Sequence, residues 1–156
     1  MKPLFTIHAG EYLVGSFIEE KFKDFNVWVP AKDTGVDLLV TNAKNNKAVS
    51  LQVKFSKNFL VTDKKDSLQQ GLKSRSWWKL NLKNIRKFLS DYWVFVIRGY
   101  NPKDIQYVII KPEELLDKLS KIHGDGKEGI QSYFWVTQED KCWETRGLKK
   151  GELVPC

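Results

Sequence analysis

A chain of 156 residues that is 42% hydrophobic, with six Trp and nine Phe, has material for one domain, and its net charge of +7 favours a polyanionic partner. No apolar run reaches the ~18 residues that mark a membrane-spanning helix, and the opening Met1-Lys2-Pro3-Leu4-Phe5-Thr6-Ile7-His8 lacks the apolar core and cleavage site of a signal peptide. Two cysteines, Cys142 and Cys156, are too few for a disulfide framework or a zinc site, so a reducing, cytoplasmic setting is expected.

Ile7 to Lys23 reads as a helix. Leu13, Phe17 and Lys21 fall along one line, and Gly15, Ile18 and Phe22 along its neighbour, at spacings of three and four. Glu11 lies one turn before Gly15, on the apolar line. Two readings stand side by side. A carboxylate aimed at a core needs a partner, because unpaired burial is costly. A Glu in the first turn also complements the helix dipole. Glu19 and Glu20 have Lys neighbours and read as a solvated face. Asn26 to Pro30 follows as a short strand, and Ala31 to Gly35 as a turn. Asp33 is either a second acid beside Asp37 or a turn former, and turn chemistry favours the latter.

The stretch Gly35-Val36-Asp37-Leu38-Leu39-Val40, a polar link Asn42 to Lys47, and Val49-Ser50-Leu51-Gln52-Val53-Lys54-Phe55 predict a β-hairpin. Val49, Leu51, Val53 and Phe55 share one face; Ser50, Gln52 and Lys54 share the other. A turn centred on Lys44–Asn45 sets Asp37 directly opposite Gln52. Cross-strand Cβ atoms lie ~4.5–5.5 Å apart. An acid, an amide and an amine then converge on one patch, which has the makings of an active site.

Ser56 to Gly71, with Lys57, Lys64 and Lys65, is polar and unpatterned and reads as a loop beside the hairpin. In Lys73-Ser74-Arg75-Ser76-Trp77-Trp78-Lys79, basic and aromatic residues interleave. That mixture suits phosphate contacts and base stacking, with Lys57, Lys73, Arg75, Trp77 and Lys79 as candidate nucleic-acid contacts. Adjacent tryptophans also close core edges, and at least one of the pair is expected to do so. Leu82, Ile85, Phe88 and Leu89 make a helical stripe opposite Lys83, Arg86 and Lys87. Tyr92 to Arg98 is almost continuously apolar, as a strand covered on both faces requires. Ile105 to Lys111 predicts a further strand, and Pro112-Glu113-Glu114 opens a helix with Leu115, Leu116, Leu119 and Ile122 inward. His123 to Gly129 is a loop whose glycines lack the strand–helix context of a phosphate-binding fingerprint. Tyr133 to Val136 predicts one more strand, and the tail from Gln138 carries no readable motif. The order of elements gives a single α/β domain over residues 1–156, with a mixed central β-sheet flanked by helices.

Glu11 in the first helix, Thr34-Gly35-Val36-Asp37 at the strand, and Gln52-Val53-Lys54 on the next strand resemble the PD-(D/E)xK nuclease superfamily, as does the opening His8-Ala9-Gly10-Glu11. The likeness spans roughly residues 7–56, and Gln52 stands where that family more often has Asp or Glu. It implies a restriction-endonuclease-like fold and metal-dependent cleavage of nucleic acid, with DNA the expected substrate. It further implies Mg2+ (or Mn2+) held by Asp37, the Gln52 amide oxygen and the Val53 carbonyl. Lys54 would then orient water or offset phosphate charge, and Glu11 would hold a water or Lys54. Replacing a carboxylate by Gln52 weakens metal binding. Cutting both strands of a duplex would favour a two-fold homodimer. Two rivals predict different behaviour: a non-catalytic nucleic-acid-binding module, or an interaction domain that offers Trp77 or Trp78 to a protein.

Overall fold

The computed structural model describes residues 8–32, 34–59, 71–101, 103–125, 127–144 and 154–155. Helix α1 (Ala9–Lys21) is followed by β1 (Phe25–Trp28), β2 (Leu38–Asn42), β3 (Ala48–Lys57) and β4 (Leu72–Asn81). Next come α2 (Leu82–Ile85), β5 (Tyr92–Arg98), β6 (Ile105–Ile110) and α3 (Pro112–His123), then β7 (Gly129–Thr137), β8 (Cys142–Glu144) and β9 (Val154–Pro155). Two sheets result: an open five-stranded sheet in the order β1-β2-β3-β5-β6, and a four-stranded sheet in the order β4-β7-β8-β9. Pairing is antiparallel except between β3 and β5, so the first sheet is mixed.

The two-sided apolar run of β5 follows from its place in this architecture. Val94 and Val96 pack under α1 with Val14, Leu38, Leu51 and Val53. Trp93, Phe95 and Ile97 point the other way, against the second sheet and the short helices. There Phe95 meets Phe134 at 4.6 Å and Trp78 at 5.0 Å between ring centroids. The expectation of helices on a central sheet therefore holds for one face. The opposite face is covered mainly by strands, with α2 and α3 adding Leu82, Ile85, Leu115 and Leu119.

Element by element, α1 is two residues shorter at each end than the sequence pattern predicts, and the first strand is Phe25–Trp28. The hairpin forms as expected. Asn42 closes its loop by accepting from the Asn46 and Lys47 N–H groups at 3.1 and 3.2 Å, and Asn45 takes a positive φ of 53°. β3 runs on to Lys57, past Ser56 where the loop was expected to begin; residues 60–70 of that expected loop, Lys64 and Lys65 among them, lie outside the described residues, as does Asp33. The basic–aromatic stretch is strand β4. Its Lys73, Arg75, Trp77 and Lys79 alternate with the buried Ser74, Ser76 and Trp78.

The predicted helical stripe from Leu82 to Leu89 is corrected. Leu82 and Ile85 are buried, but α2 ends there, and Phe88 and Leu89 are exposed. The chain has to turn at this point to enter β5 beside β3, and Phe88 adopts a φ of 47° in doing so. No helix among the described residues is long and apolar enough to cross a membrane.

Asp91 fixes the entry to β5. Its Oδ2 accepts from both the N–H and the hydroxyl of Ser50 at 2.7 Å, and its own N–H donates to the Ser50 carbonyl at 3.0 Å. The Ser50 N–H, and after it the hydroxyl, hold the Asp91 carboxyl below the ordinary carboxylate value of 3.8. A depressed folded pKa contributes stability above the unfolded value and loses it as pH falls through the folded one. Asp91→Asn is therefore expected to lower the urea midpoint at pH 7 and to have progressively less effect below pH 3.8. An unchanged difference between the two proteins across that range would remove this role.

Candidate active site

Asp37 arrives through a turn that only glycine makes comfortably. Gly35 has a φ of +86°, and a Cβ there would stand 2.7 Å from Leu89 Cδ1. Gly35→Ala is expected to cost at least about 1 kcal/mol, read as a lowered urea midpoint. Wild-type stability in that variant would show that the turn tolerates a side chain.

The ladder between β2 and β3 pairs Leu38 with Leu51, so its extension sets Asp37 opposite Gln52, as the turn at Lys44–Asn45 predicts. Asp37 is 6% exposed. Its N–H donates to the Leu51 carbonyl at 2.8 Å, and its Oδ2 accepts from the Val53 N–H at 2.8 Å and from the Gln52 side-chain amide. The carboxylate thus stands where β2 has left the ladder. A residue exchanging ladder bonds directs its N–H and C=O to the same side. The Val53 carbonyl accordingly belongs to the Asp37 side of β3.

The next residue, Lys54, projects from the Gln52 face, and its Nζ lies 5.4 Å from the centroid of the Trp93 ring. Glu11 reaches the same place because α1 approaches β3 very closely. A Cβ on Gly10 would lie 2.8 Å from Phe55 Cβ and 3.2 Å from Val53 Cγ1. Both readings of Glu11 meet in the structure. It is 3% exposed, and its Oε2 accepts from the His8 N–H at 3.3 Å in the first turn.

Glu11, Asp37, Gln52, Val53 and Lys54 line one cleft of about 1000 Å³. Its other wall comes from the end of β4, α2 and the turn beyond, with Lys79, Asn81, Asn84 and Lys87. Two carboxylates sit among Lys54, Lys79 and Lys87, and none of these lysines is in an ion pair among the described residues. A polyanion entering the cleft meets cations whose charge is not already cancelled.

The donor chemistry fits a hard cation. Magnesium takes oxygen ligands, commonly one or two carboxylates completed by water and phosphate. The oxygens that this part of the cleft has for such an ion are those of the Asp37 carboxylate, the Gln52 amide and the Val53 carbonyl. No group of three His, Cys, Asp or Glu side chains able to hold a metal occurs among the described residues, so the set is a mixed one. Gln52 donates its NH2 to Asp37. A half-turn of the amide exchanges Nε2 for Oε1. The two oxygens then repel unless a cation lies between them.

The other candidates separate. Lys57 ends β3, outside the cleft, with its carbonyl accepting from the Ser76 hydroxyl at 2.8 Å. Lys73, Arg75 and Trp77 lie on the side of β4 turned from the core, and of the four β4 candidates Lys79 alone reaches the cleft. Trp78 closes the core, as expected of one member of the pair. Sequence reasoning did not assign Trp93 and Lys87 to the site. Trp93 lay within an apolar strand, and Lys87 within a basic face that no local feature singled out.

Comparison with protein-family models, curated proteins and solved structures finds no match to this chain.

Proposed function

We propose that the chain is a metal-dependent endonuclease with a restriction-endonuclease-like fold, a QxK variant of the PD-(D/E)xK pattern, hydrolysing DNA phosphodiester bonds. The observation that carries this reading is the convergence of Glu11, Asp37, Gln52 and Lys54 in one cleft rimmed by lysines. The mixed sheet with α1 on one face agrees with it. Asp37, Gln52 and the Val53 carbonyl would hold Mg2+ or Mn2+, which supplies Lewis acidity toward a phosphate oxygen and an attacking water. Lys54, held over Trp93, offsets the negative charge that grows on the phosphate as the bond breaks. The Glu11 carboxylate accepts a hydrogen bond from the water and orients it. Lys79 and Lys87 hold flanking phosphates.

The test is nicking of supercoiled plasmid. Wild type with magnesium or manganese should convert it to the open circle, and EDTA should stop the reaction. Lys54→Ala should slow it by roughly 10²–10³, the usual cost of losing one group that stabilises a transition state. Metal-independent cutting, or full activity in Lys54→Ala, would count against the assignment. A second reading, binding without cleavage, draws on the Gln52 amide: by donating to Asp37 it satisfies the acid with no cation present. That reading predicts salt-sensitive DNA binding that neither metal nor Lys54→Ala alters.

A further inference from the structure

The face of the second sheet turned away from the core has an unusual composition. Trp77 pairs with Tyr133, and Arg75 with Trp135, across β4 and β7; Trp135 pairs in turn with Trp143 on β8. Residues directly opposite in an antiparallel ladder share a face. Arg75, Trp77, Tyr133, Trp135 and Trp143 therefore form one surface, and each is half-buried. Phe59 stacks on Trp77 with 30° between ring planes and extends the set. Core packing does not call for these rings, because the inner faces of β4 and β7 fill the core with Trp78, Leu80, Ile130, Phe134 and Val136. An antiparallel sheet with one solvated face ordinarily carries polar residues there.

We infer that this face binds single-stranded DNA, with unpaired bases stacking on Trp77, Trp135 and Trp143 and the backbone held by Arg75 and Lys79. The inference deepens the nucleic-acid reading above and rests on it for the polymer, though not for the cleavage step. Three observations commit the face to a strand with free bases. Cations favour a polyanion, but cations alone would serve a duplex or an acidic protein equally well. The rings decide between them, since unpaired bases offer flat faces to aromatic side chains on a sheet, whereas a duplex keeps its bases within the stack and acidic side chains have no ring to offer. Finally, β4 leads from this face to the site, because Lys79 belongs to the row and also lines the cleft with Asp37 and Lys54. A strand lying along β4 would be fed toward the reacting groups.

The experiment is fluorescence anisotropy with the full chain in EDTA, which prevents cutting. The probes are a labelled oligo(dT) of about 20 nucleotides, ample for one binding sheet, and a duplex of equal length. The oligo(dT) should bind at least tenfold more tightly than the duplex. Trp77→Ala and Trp135→Ala should each weaken it about tenfold or more, the range for loss of one stacked base. Arg75→Gln and Lys79→Gln should each weaken it and lower the salt slope by about one phosphate. Equal or tighter duplex binding, or wild-type affinity in folded Trp77→Ala, overturns the inference. Where the tryptophan variants do not fold by circular dichroism, unchanged affinity in both Arg75→Gln and Lys79→Gln overturns it instead. Plasmid nicking without a preference for oligo(dT) removes this inference and leaves the nuclease; oligo(dT) binding without nicking does the reverse.

Discussion

Asp37→Asn is expected to lower metal-dependent plasmid nicking at least about a hundredfold while the chain stays folded. Asparagine keeps one oxygen, and that oxygen in the place of Oδ2 can accept from both the Val53 N–H and the Gln52 amide. Asp37→Ala is the poorer test. It strands a buried backbone donor, a loss of about 1–3 kcal/mol that confounds activity with folding. What Asn cannot replace is the negative charge, the single strongest donor that the cleft offers a hard cation. A readout independent of cleavage follows from linkage, since a cation that binds only the folded chain raises its melting temperature. Manganese should stabilise wild type and leave Asp37→Asn unmoved. If the variant cuts like wild type, Asp37 holds no catalytic cation and the proposed chemistry falls. If it fails to cut but manganese still stabilises it, the cation binds elsewhere.

How much of this was legible in the sequence differs by region, for physical reasons. The central hairpin was legible because a period of two, a polar link and a turn centre together set its register, so the neighbourhood of Asp37 and Gln52 followed. β5 was legible because burial on both faces leaves an unbroken apolar run. The second sheet was legible only at Tyr133 to Val136, within β7. Its buried faces carry serine where apolar residues would have announced a strand: Ser74 and Ser76 on β4, and Ser132 on β7. Two of these serines are accommodated by hydrogen bonds from distant chain, Ser76 to the Lys57 carbonyl at 2.8 Å and Ser132 to Glu144 at 3.0 Å. No local pattern contains such partners. A register shift between Leu72 and Ser74 further blurs the alternation around Lys73. Glu144 is the extreme case, a buried acid in a tail without a motif, met by Ser132, the Tyr133 N–H and His123. Of the outer aromatic surface only the β4 row with Arg75, Trp77 and Lys79 was legible, because the rest joins it only once β4, β7 and β8 are paired.

Phe95→Ala should be the most destabilising single change in the core, at about 3–5 kcal/mol. Phe95 is fully buried on β5 and contacts Trp78, Trp93 and Phe134, so one ring joins the mixed sheet to both β4 and β7 of the second. Domains of this size have a total stability of about 5–15 kcal/mol, and each kcal/mol moves the melting temperature by about 2–4 °C. A fall of roughly 6–20 °C follows, measurable by thermal or urea unfolding. Ile109→Ala, at a side chain 63% exposed on β6, is the matched control and should change stability by no more than about 0.5 kcal/mol. The probe matters as much as the magnitude. Tryptophan fluorescence is weighted toward the second sheet through Trp77, Trp78, Trp135 and Trp143, while far-ultraviolet circular dichroism follows both sheets and the helices. If the shared core makes the chain one cooperative unit, the two transitions coincide and shift together in Phe95→Ala. Transitions that separate would mean that the second sheet melts independently. The cleft would then be lost first from the wall that β4 supplies, with Asp37 and Gln52 still paired on the other.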